Sequence, residues 1–373
     1  MARAEAIIDL GALEYNIKRL LSNTKAEGLA VVKADAYGHG LVPVAERALK
    51  AGAKWLGTAL LDEAISLRDA GITAPIIAWL TPVSDDFESA LKKKIDLAIP
   101  SLGHLEAVVK AGEALGIPPR VHLEVDTGMS RGGALKEWIP LVTRASELSK
   151  SGGLEVIGIW SHFARADEPN HSFNDEQLRN FQARVLEAKE AGISPEILHL
   201  SNSAATLTND SSHFDLVRLG IAMYGLSPDV NTMGESKALD LKPVMKLRAK
   251  LHIVKDVPAG SQVGYGGTAI TQSDTKLAVV AMGYADGIPR NANSTAGVLV
   301  GNKKAPIIGR VSMDQFVVEI GNDSIAHAGD WAYLIGSEGG DGYTADAWAK
   351  ACGTINYEIV TRIGPRVPRV FTN

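Results

Sequence analysis

Cysteine is nearly absent: Cys352 is the only one in 373 residues. A single thiol closes no internal disulfide and supplies no cysteine-rich zinc site, which points to a reducing compartment. Long apolar runs are missing as well. No stretch of about 18 apolar residues is present to cross a bilayer, and Met1-Ala2-Arg3-Ala4-Glu5 leads directly into Ile7-Ile8-Asp9 without the apolar core of a signal peptide. Nor is there an excess of one charge. The 38 basic residues face 43 acidic ones for a net charge of -5, which gives no electrostatic reason to expect nucleic acid or an acidic membrane as partner. Low-complexity tracts and repeats of 20 to 50 residues are also lacking. What remains is a globular composition, 46% apolar and 22% charged, in a length suited to two domains of a soluble, cytoplasmic protein.

The first two thirds alternate short apolar runs with helix-period segments, the pattern of parallel strands joined by crossover helices. Eight strands are expected, at Leu29–Asp35, Lys54–Leu60, Ala74–Leu80, Asp96–Ser101, Arg120–Asp126, Val156–His162, Glu196–Asn202 and Leu216–Ile221. Eight units without a glycine-rich dinucleotide fingerprint after the first strand predict a closed (β/α)8 TIM-type barrel over residues 1–238 rather than an open sheet. After about Leu239 the texture becomes β-rich, with strands expected at 244–257, 276–284, 296–300, 305–311, 316–320 and 331–335 and a helix only at Ala345–Ala351. A mostly antiparallel β domain over residues 239–373 follows, with Ser227–Lys237 as connector, Gly339-Gly340-Asp341-Gly342 as a flexible turn, and an N-terminal strand at 5–9 as a candidate to pack on the second domain.

Barrel enzymes carry their chemistry at the C-terminal strand ends. The first expected strand brings Lys33 into such a position, inside Val32-Lys33-Ala34-Asp35-Ala36-Tyr37-Gly38-His39-Gly40. Burial there depresses an amine's pKa and makes it a nucleophile toward a carbonyl, whereas a strand-end lysine can equally be a snorkelled surface group. The last two units end in Ser201-Asn202-Ser203 and Arg218-Leu219-Gly220-Ile221, where barrels often hold a phosphate. A lysine facing a phosphate cup describes a site for pyridoxal phosphate. Ser203 also reads as a plain helix cap, and Arg218 as the partner of an acid.

These residues resemble the pyridoxal-phosphate signature of the alanine racemases. The resemblance runs nearly the length of the chain, through Asp126-Thr127-Gly128-Met129-Ser130-Arg131, Ser161-His162-Phe163, Ser201-Asn202-Ser203, Arg218–Gly225, Val263-Gly264-Tyr265-Gly266, Gly283-Tyr284-Ala285-Asp286-Gly287, Gly309–Gln315 and Arg366–Arg369. It implies that Lys33 is the Schiff-base lysine and the base on one face of the substrate, and that Tyr265 is the opposing base, entering the active site of a neighbouring subunit in a homodimer with composite sites. His162 and Arg218 become a relay behind the phenol, which is a poor base at neutral pH unless a neighbour takes its proton or favours phenolate. A strand-end histidine is otherwise a structural hydrogen-bonding group. By the same resemblance Tyr37, Asn202, Ser203, Gly220, Ile221 and Tyr357 hold the cofactor with Lys33 and Arg218, while Arg131 and the backbone of Met313 hold a small amino-acid substrate. Tyr284 and Asp314 support them from behind, and no metal is implied.

Two positions depart from the family. Glu124 stands where most members have a carbamylated lysine orienting the arginine, and it offers an unmodified but shorter carboxylate toward Arg131. Ser312 replaces a common cysteine. Other readings are a cofactor-homeostasis protein, which needs no second domain, and a decarboxylase, which needs a reactive cysteine where Cys352 reads as a small buried hydrophobe. A serine or broad-range racemase is the last, kept open by Glu124. The activity implied is interconversion of L- and D-alanine, supplying D-alanine for peptidoglycan.

Overall fold

A computed structural model describes residues 2–339 and 341–373; Met1 and Gly340, the latter in the turn expected at 339–342, lie outside them. The strands in chain order are β1 (Ala4–Asp9), β2 (Glu27–Val31), β3 (Trp55–Thr58), β4 (Ile76–Ala78), β5 (Asp96–Ile99), β6 (Arg120–Glu124), β7 (Glu155–Trp160), β8 (Ile197–His199) and β9 (Leu216–Leu219). They continue with β10 (Met245–Val257), β11 (Gln262–Val263), β12 (Ala269–Ile270), β13 (Thr275–Val280), β14 (Gly297–Val300), β15 (Lys303–Pro306), β16 (Phe316–Glu319), β17 (Trp331–Ile335) and β18 (Arg369–Thr372). The described residues form two compact units, one of residues 13–36 and 41–242, the other of 2–12, 37–40 and 243–373.

The first unit is the eight-stranded parallel barrel, in the order β8-β7-β6-β5-β4-β3-β2-β9. Its strands are near-continuous apolar runs such as Leu97-Ala98-Ile99, buried on both faces as a helix-covered parallel sheet requires. The seam between β8 and β9 is laced by backbone bonds from Arg218 N–H to the Ser201 carbonyl, 3.0 Å, and from Asp215 N–H to the Leu198 carbonyl, 3.1 Å. Each strand is shorter than its apolar run in the sequence. As a result Lys33, His162 and Asn202 stand just past the strand ends rather than inside the ladder. The crossover helices are punctuated locally: in Leu102–Leu115, Ser101 caps the start by accepting from His104 N–H, and Gly116 at φ 65° closes the end.

The second unit is a largely antiparallel sheet, ordered β15-β14-β17-β10-β1-β18, with β13 joining β10 to β16. The 13-residue β10 is its spine, alternating buried Met245, Leu247, Ala249 and Leu251 with more exposed neighbours. β1 pairs antiparallel with β10 (Ala6 opposite Leu247) and parallel with β18 (Ala6 opposite Arg369). The helix Asn356–Thr361 and β18 are absent from the sequence reading. Both are short, and β18 owes its existence to β1, more than 350 residues away in the chain, which no local pattern reveals. The run at 305–311 also divides: β15 ends at Pro306, and Ile307 makes only an isolated bridge with Val318. Cys352 is buried at the end of the helix Ala345–Cys352.

Candidate active site

Lys33 follows β2 and opens a turn in which Ala34, Asp35, Ala36 and Tyr37 all sit at φ 53° to 54°. Left-handed backbone costs L-residues about 1–2 kcal/mol each, so four in succession persist only where surroundings hold them. Glu63 is one clamp: Oε1 accepts the Ala34 N–H at 2.6 Å, and Oε2 accepts those of Ala59 and Leu60 at 3.0 Å. Asp35 is another, accepting the Leu41 N–H at 2.8 Å. The Lys33 amine is largely buried, 5.9 Å from the Trp79 ring centre, and forms no hydrogen bond or ion pair among the described residues. Burial, reinforced by the Arg131 and Arg218 cations and opposed by Glu63, holds its pKa below the usual lysine value.

Arg218, on β9, is 4% exposed and surrounded by neutral acceptors. Its Nη1 donates to the His199 carbonyl (3.1 Å) and Nδ1 (3.3 Å). Its Nη2 donates to the carbonyls of Ser161 (2.9 Å) and Leu200 (3.0 Å) and to His162 Nδ1 (3.0 Å). No carboxylate pairs with it among the described residues, and burial pulls its pKa down to about 9, with Glu124 opposing. An arginine only donates, so His162 Nδ1 must accept, and the neutral ring carries its proton on Nε2. Burial and the Arg218, Arg131 and Lys33 cations hold His162 well below its ordinary pKa.

Glu124, at the end of β6, forms no ion pair with the exposed Arg131 or with any other residue described. Its Oε1 lies over Gly132, where a Cβ would stand only 2.8 Å away. Burial, with Asp126 adding to it and Arg218 and Arg131 opposing, pushes its pKa up to about 7. On the last two units Asn202 is the helix cap, accepting the Ala205 N–H at 3.1 Å, so Ser203 is the first helical residue instead. Ser203 Oγ accepts the N–H groups of Gly220 (2.8 Å) and Ala222 (3.3 Å), which leaves its own proton to donate. The N–H groups of Ser203, Ala204 and Ile221 make no hydrogen bond among the described residues.

The β-rich unit carries the other expected residues. Tyr265 is 71% exposed on the turn between β11 and β12, between Gly264 at φ 72° and Gly266 at φ 75°. Met313 is exposed, and Gly283 fits beneath it because a Cβ would strike the Met313 and Ser312 carbonyls at 2.4 Å. The backbone N–H groups of Tyr284 and Ala285 donate to those same two carbonyls at 3.0 and 2.9 Å. Asp314 pairs with Arg366 at 2.6 Å. Tyr37 is buried with its ring 6.2 Å from that of Tyr357, and burial pushes its phenol pKa up.

Sequence reasoning passed over Glu63, His122, His199 and Asp96. A signal was present for the last three: each interrupts an otherwise apolar strand, and a polar residue inside a central parallel strand needs a partner.

The sequence profile described as "Alanine racemase, N-terminal domain" matches residues 8–228, and that described as "Alanine racemase, C-terminal domain" matches residues 244–371. The alanine racemase of Salinispora arenicola is 49% identical over 373 residues, covering 100% of this chain and 99% of the relative. Among solved structures, alanine racemase from the D-cycloserine-producing Streptomyces lavendulae superposes with a TM-score of 0.96 at 45% identity, over 100% of this chain and 98% of that one. The Bacillus anthracis alanine racemase with bound L-Ala-P gives 0.90 at 37% identity, over 100% and 96%.

Proposed function

The chain belongs to the alanine racemase family, and from that premise we propose that it interconverts L- and D-alanine as a homodimer that uses pyridoxal 5'-phosphate. The residues present fit that cofactor. Lys33 offers a desolvated amine without a partner, the reactive state for an aldehyde. Ser203 offers a hydroxyl proton, and Ser203, Ala204 and Ile221 offer uncharged N–H donors suited to a phosphate. When bound, the cofactor supplies an electron sink beside the substrate Cα, which makes the Cα proton removable near neutral pH.

Racemisation needs an acid/base group on each face of that carbon. Lys33 takes one face, its lowered pKa leaving more neutral amine near pH 7. Tyr265 of a second copy takes the other. His162 supports that phenol by donating from Nε2, which favours phenolate, because its Nδ1 is already occupied by Arg218. Arg218, a cation held by carbonyls and imidazoles alone, would face the cofactor's ring nitrogen and disfavour its protonation, which would weaken the electron sink and limit side reactions. Arg131 and the Met313 N–H bind the substrate carboxylate, with Asp314 and Tyr284 supporting. Exposure of Tyr265, Met313 and Arg131 in the single chain supports completion by a partner. The setting we propose is cytoplasmic, with D-alanine feeding peptidoglycan; no described helix is long and apolar enough to cross a membrane.

The observation that carries this reading is the buried, unpaired Lys33 amine at a barrel strand end. Incubation with L-alanine in deuterated water tests it: D-alanine carrying Cα deuterium is expected, and recovery of unlabelled L-alanine alone would refute it. L-serine in a parallel sample addresses the broader-range reading, which the missing Glu124–Arg131 ion pair favours. Comparable turnover of serine would establish that reading.

A further inference from the structure

A chain of buried polar side chains runs through the barrel interior from Asp96, at the start of β5, to Arg218 on β9. At its lower end Arg120 clasps Asp96, with Nε to Oδ1 at 2.9 Å and Nη2 to Oδ2 at 3.1 Å. Asp96 Oδ2 then stands 3.5 Å from His122 Nε2, an electrostatic approach rather than a hydrogen bond, and that nitrogen has no other partner among the described residues. His122 Nδ1 lies 3.0 Å from His199 Nε2, and His199 Nδ1 lies 3.3 Å from Arg218 Nη1. Asp96, His122, His199 and Arg218 are each at most 4% exposed. The aromatic surroundings hold the rings in place: Trp160 stacks on His199 at 5.6 Å and 6°, and Trp55 meets His122 edge-on at 5.4 Å. Gly158 makes the room, since a Cβ there would lie 2.3 Å from His122 Nδ1.

The chemistry of the two ends fixes the direction of every proton between them. Arg218 only donates, so His199 Nδ1 accepts and the proton of neutral His199 sits on Nε2. His199 therefore donates to His122 Nδ1, and His122 in turn carries its proton on Nε2, facing Asp96. The far end demands the same arrangement, because a carboxylate only accepts. Reversing the two imidazoles would set a lone pair against the carboxylate and an N–H against the guanidinium. Both ends penalise that state.

We propose that Asp96, at the end of the barrel away from the chemistry, is a positioning residue for Arg218: through His122 and His199 it locks the tautomers that give the guanidinium its acceptor. His122 and Arg120 keep Asp96 ionised despite the opposing effect of burial, and His199 is kept neutral by burial and its neighbours His122 and Arg218. The proposal rests on the racemase reading for its consequence, since Arg218 matters to catalysis only there, while the tautomers themselves do not depend on it.

The test is long-range 1H–15N spectroscopy of the full chain labelled with 15N-histidine, which reports which ring nitrogen carries each proton. In the unaltered protein His122 and His199 are expected to be Nε2-protonated. Asp96→Asn is nearly isosteric; with its amide oxygen held by Arg120, it presents N–H to His122, so the two ends of the chain demand opposite directions. The expected result is a mixed or reversed tautomer at His199 with kcat lowered about tenfold and the alanine KM little changed. Asp96→Glu, which keeps the carboxylate, is expected to retain the original tautomers. An Nδ1-protonated His199 in the unaltered protein, or an unchanged His199 in Asp96→Asn, would overturn the proposal. Failure of the unaltered chain to racemise alanine would overturn the reading of its function and leave the tautomer result standing.

Discussion

The candidate catalytic groups fall in two regions of opposite character. In the barrel, Lys33, Arg218, His162 and Glu124 are buried or largely so, held at strand ends by hydrogen bonds of 2.9 to 3.3 Å or deprived of partners, and burial shifts the pKa of each. In the β-rich unit, Tyr265, Tyr284 and Met313 stand out on turns, 71%, 40% and 53% exposed. The barrel thus sets the chemical state of its groups within one chain, whereas the β-rich unit presents its groups to solvent, where the proposed homodimer would supply their surroundings.

The sharpest way to break the barrel side is Lys33→Ala, expected to lower racemisation by at least about a thousandfold with loss of the cofactor's visible absorbance, measured by coupled assay and absorption spectroscopy. Since the amine is buried without a partner, its removal should not lower the melting temperature of the cofactor-free chain. Tyr265→Phe breaks the other side. A drop of about a hundredfold or more is expected with cofactor retained, and the melting temperature should stay within about a degree because an exposed side chain contributes little to folding.

Glu124 sharpens the contrast through pH. Its folded pKa of about 7 exceeds the unfolded value, so between the two the folded state binds more protons. Stability from this group is present below about pH 4.5 and lost as pH rises toward 7. Glu124→Gln should therefore melt a few degrees above the unaltered chain at pH 8 and converge with it near pH 4.5, read by calorimetry. The smallest effect is expected for Ser312→Cys. Position 312 contributes backbone, its N–H donating to the Gln315 carbonyl and its own carbonyl accepting from Tyr284, so activity and melting temperature should change by less than about 0.5 kcal/mol in equivalent terms.

Much of the barrel was legible in the sequence because parallel strands buried on both faces are plain apolar runs, and each of the eight segments expected as strands overlaps one. The strand ends were less so. Lys33 lies beyond β2 in a left-handed turn that Ala34, Asp35 and Ala36 do not favour by themselves; Glu63 imposes it from 29 positions away. The polar chain behind Arg218 is equally nonlocal, joining Asp96, His122 and His199 from three strands. The cap beside Ser203 went to Asn202, one residue earlier, since either side chain suits that position. For Tyr265, the flanking glycines forecast an exposed turn, and the side chain is 71% exposed there.

Complementation tests the two-region account most directly. Lys33→Ala and Tyr265→Ala chains, each inactive alone, are co-refolded in equal amounts and assayed for alanine racemisation. If one copy's amine works with another copy's phenol, half of the randomly paired dimers contain one intact site, and activity should return to about a quarter of that of the unaltered protein. A mixture as inactive as its two parents would contradict the account.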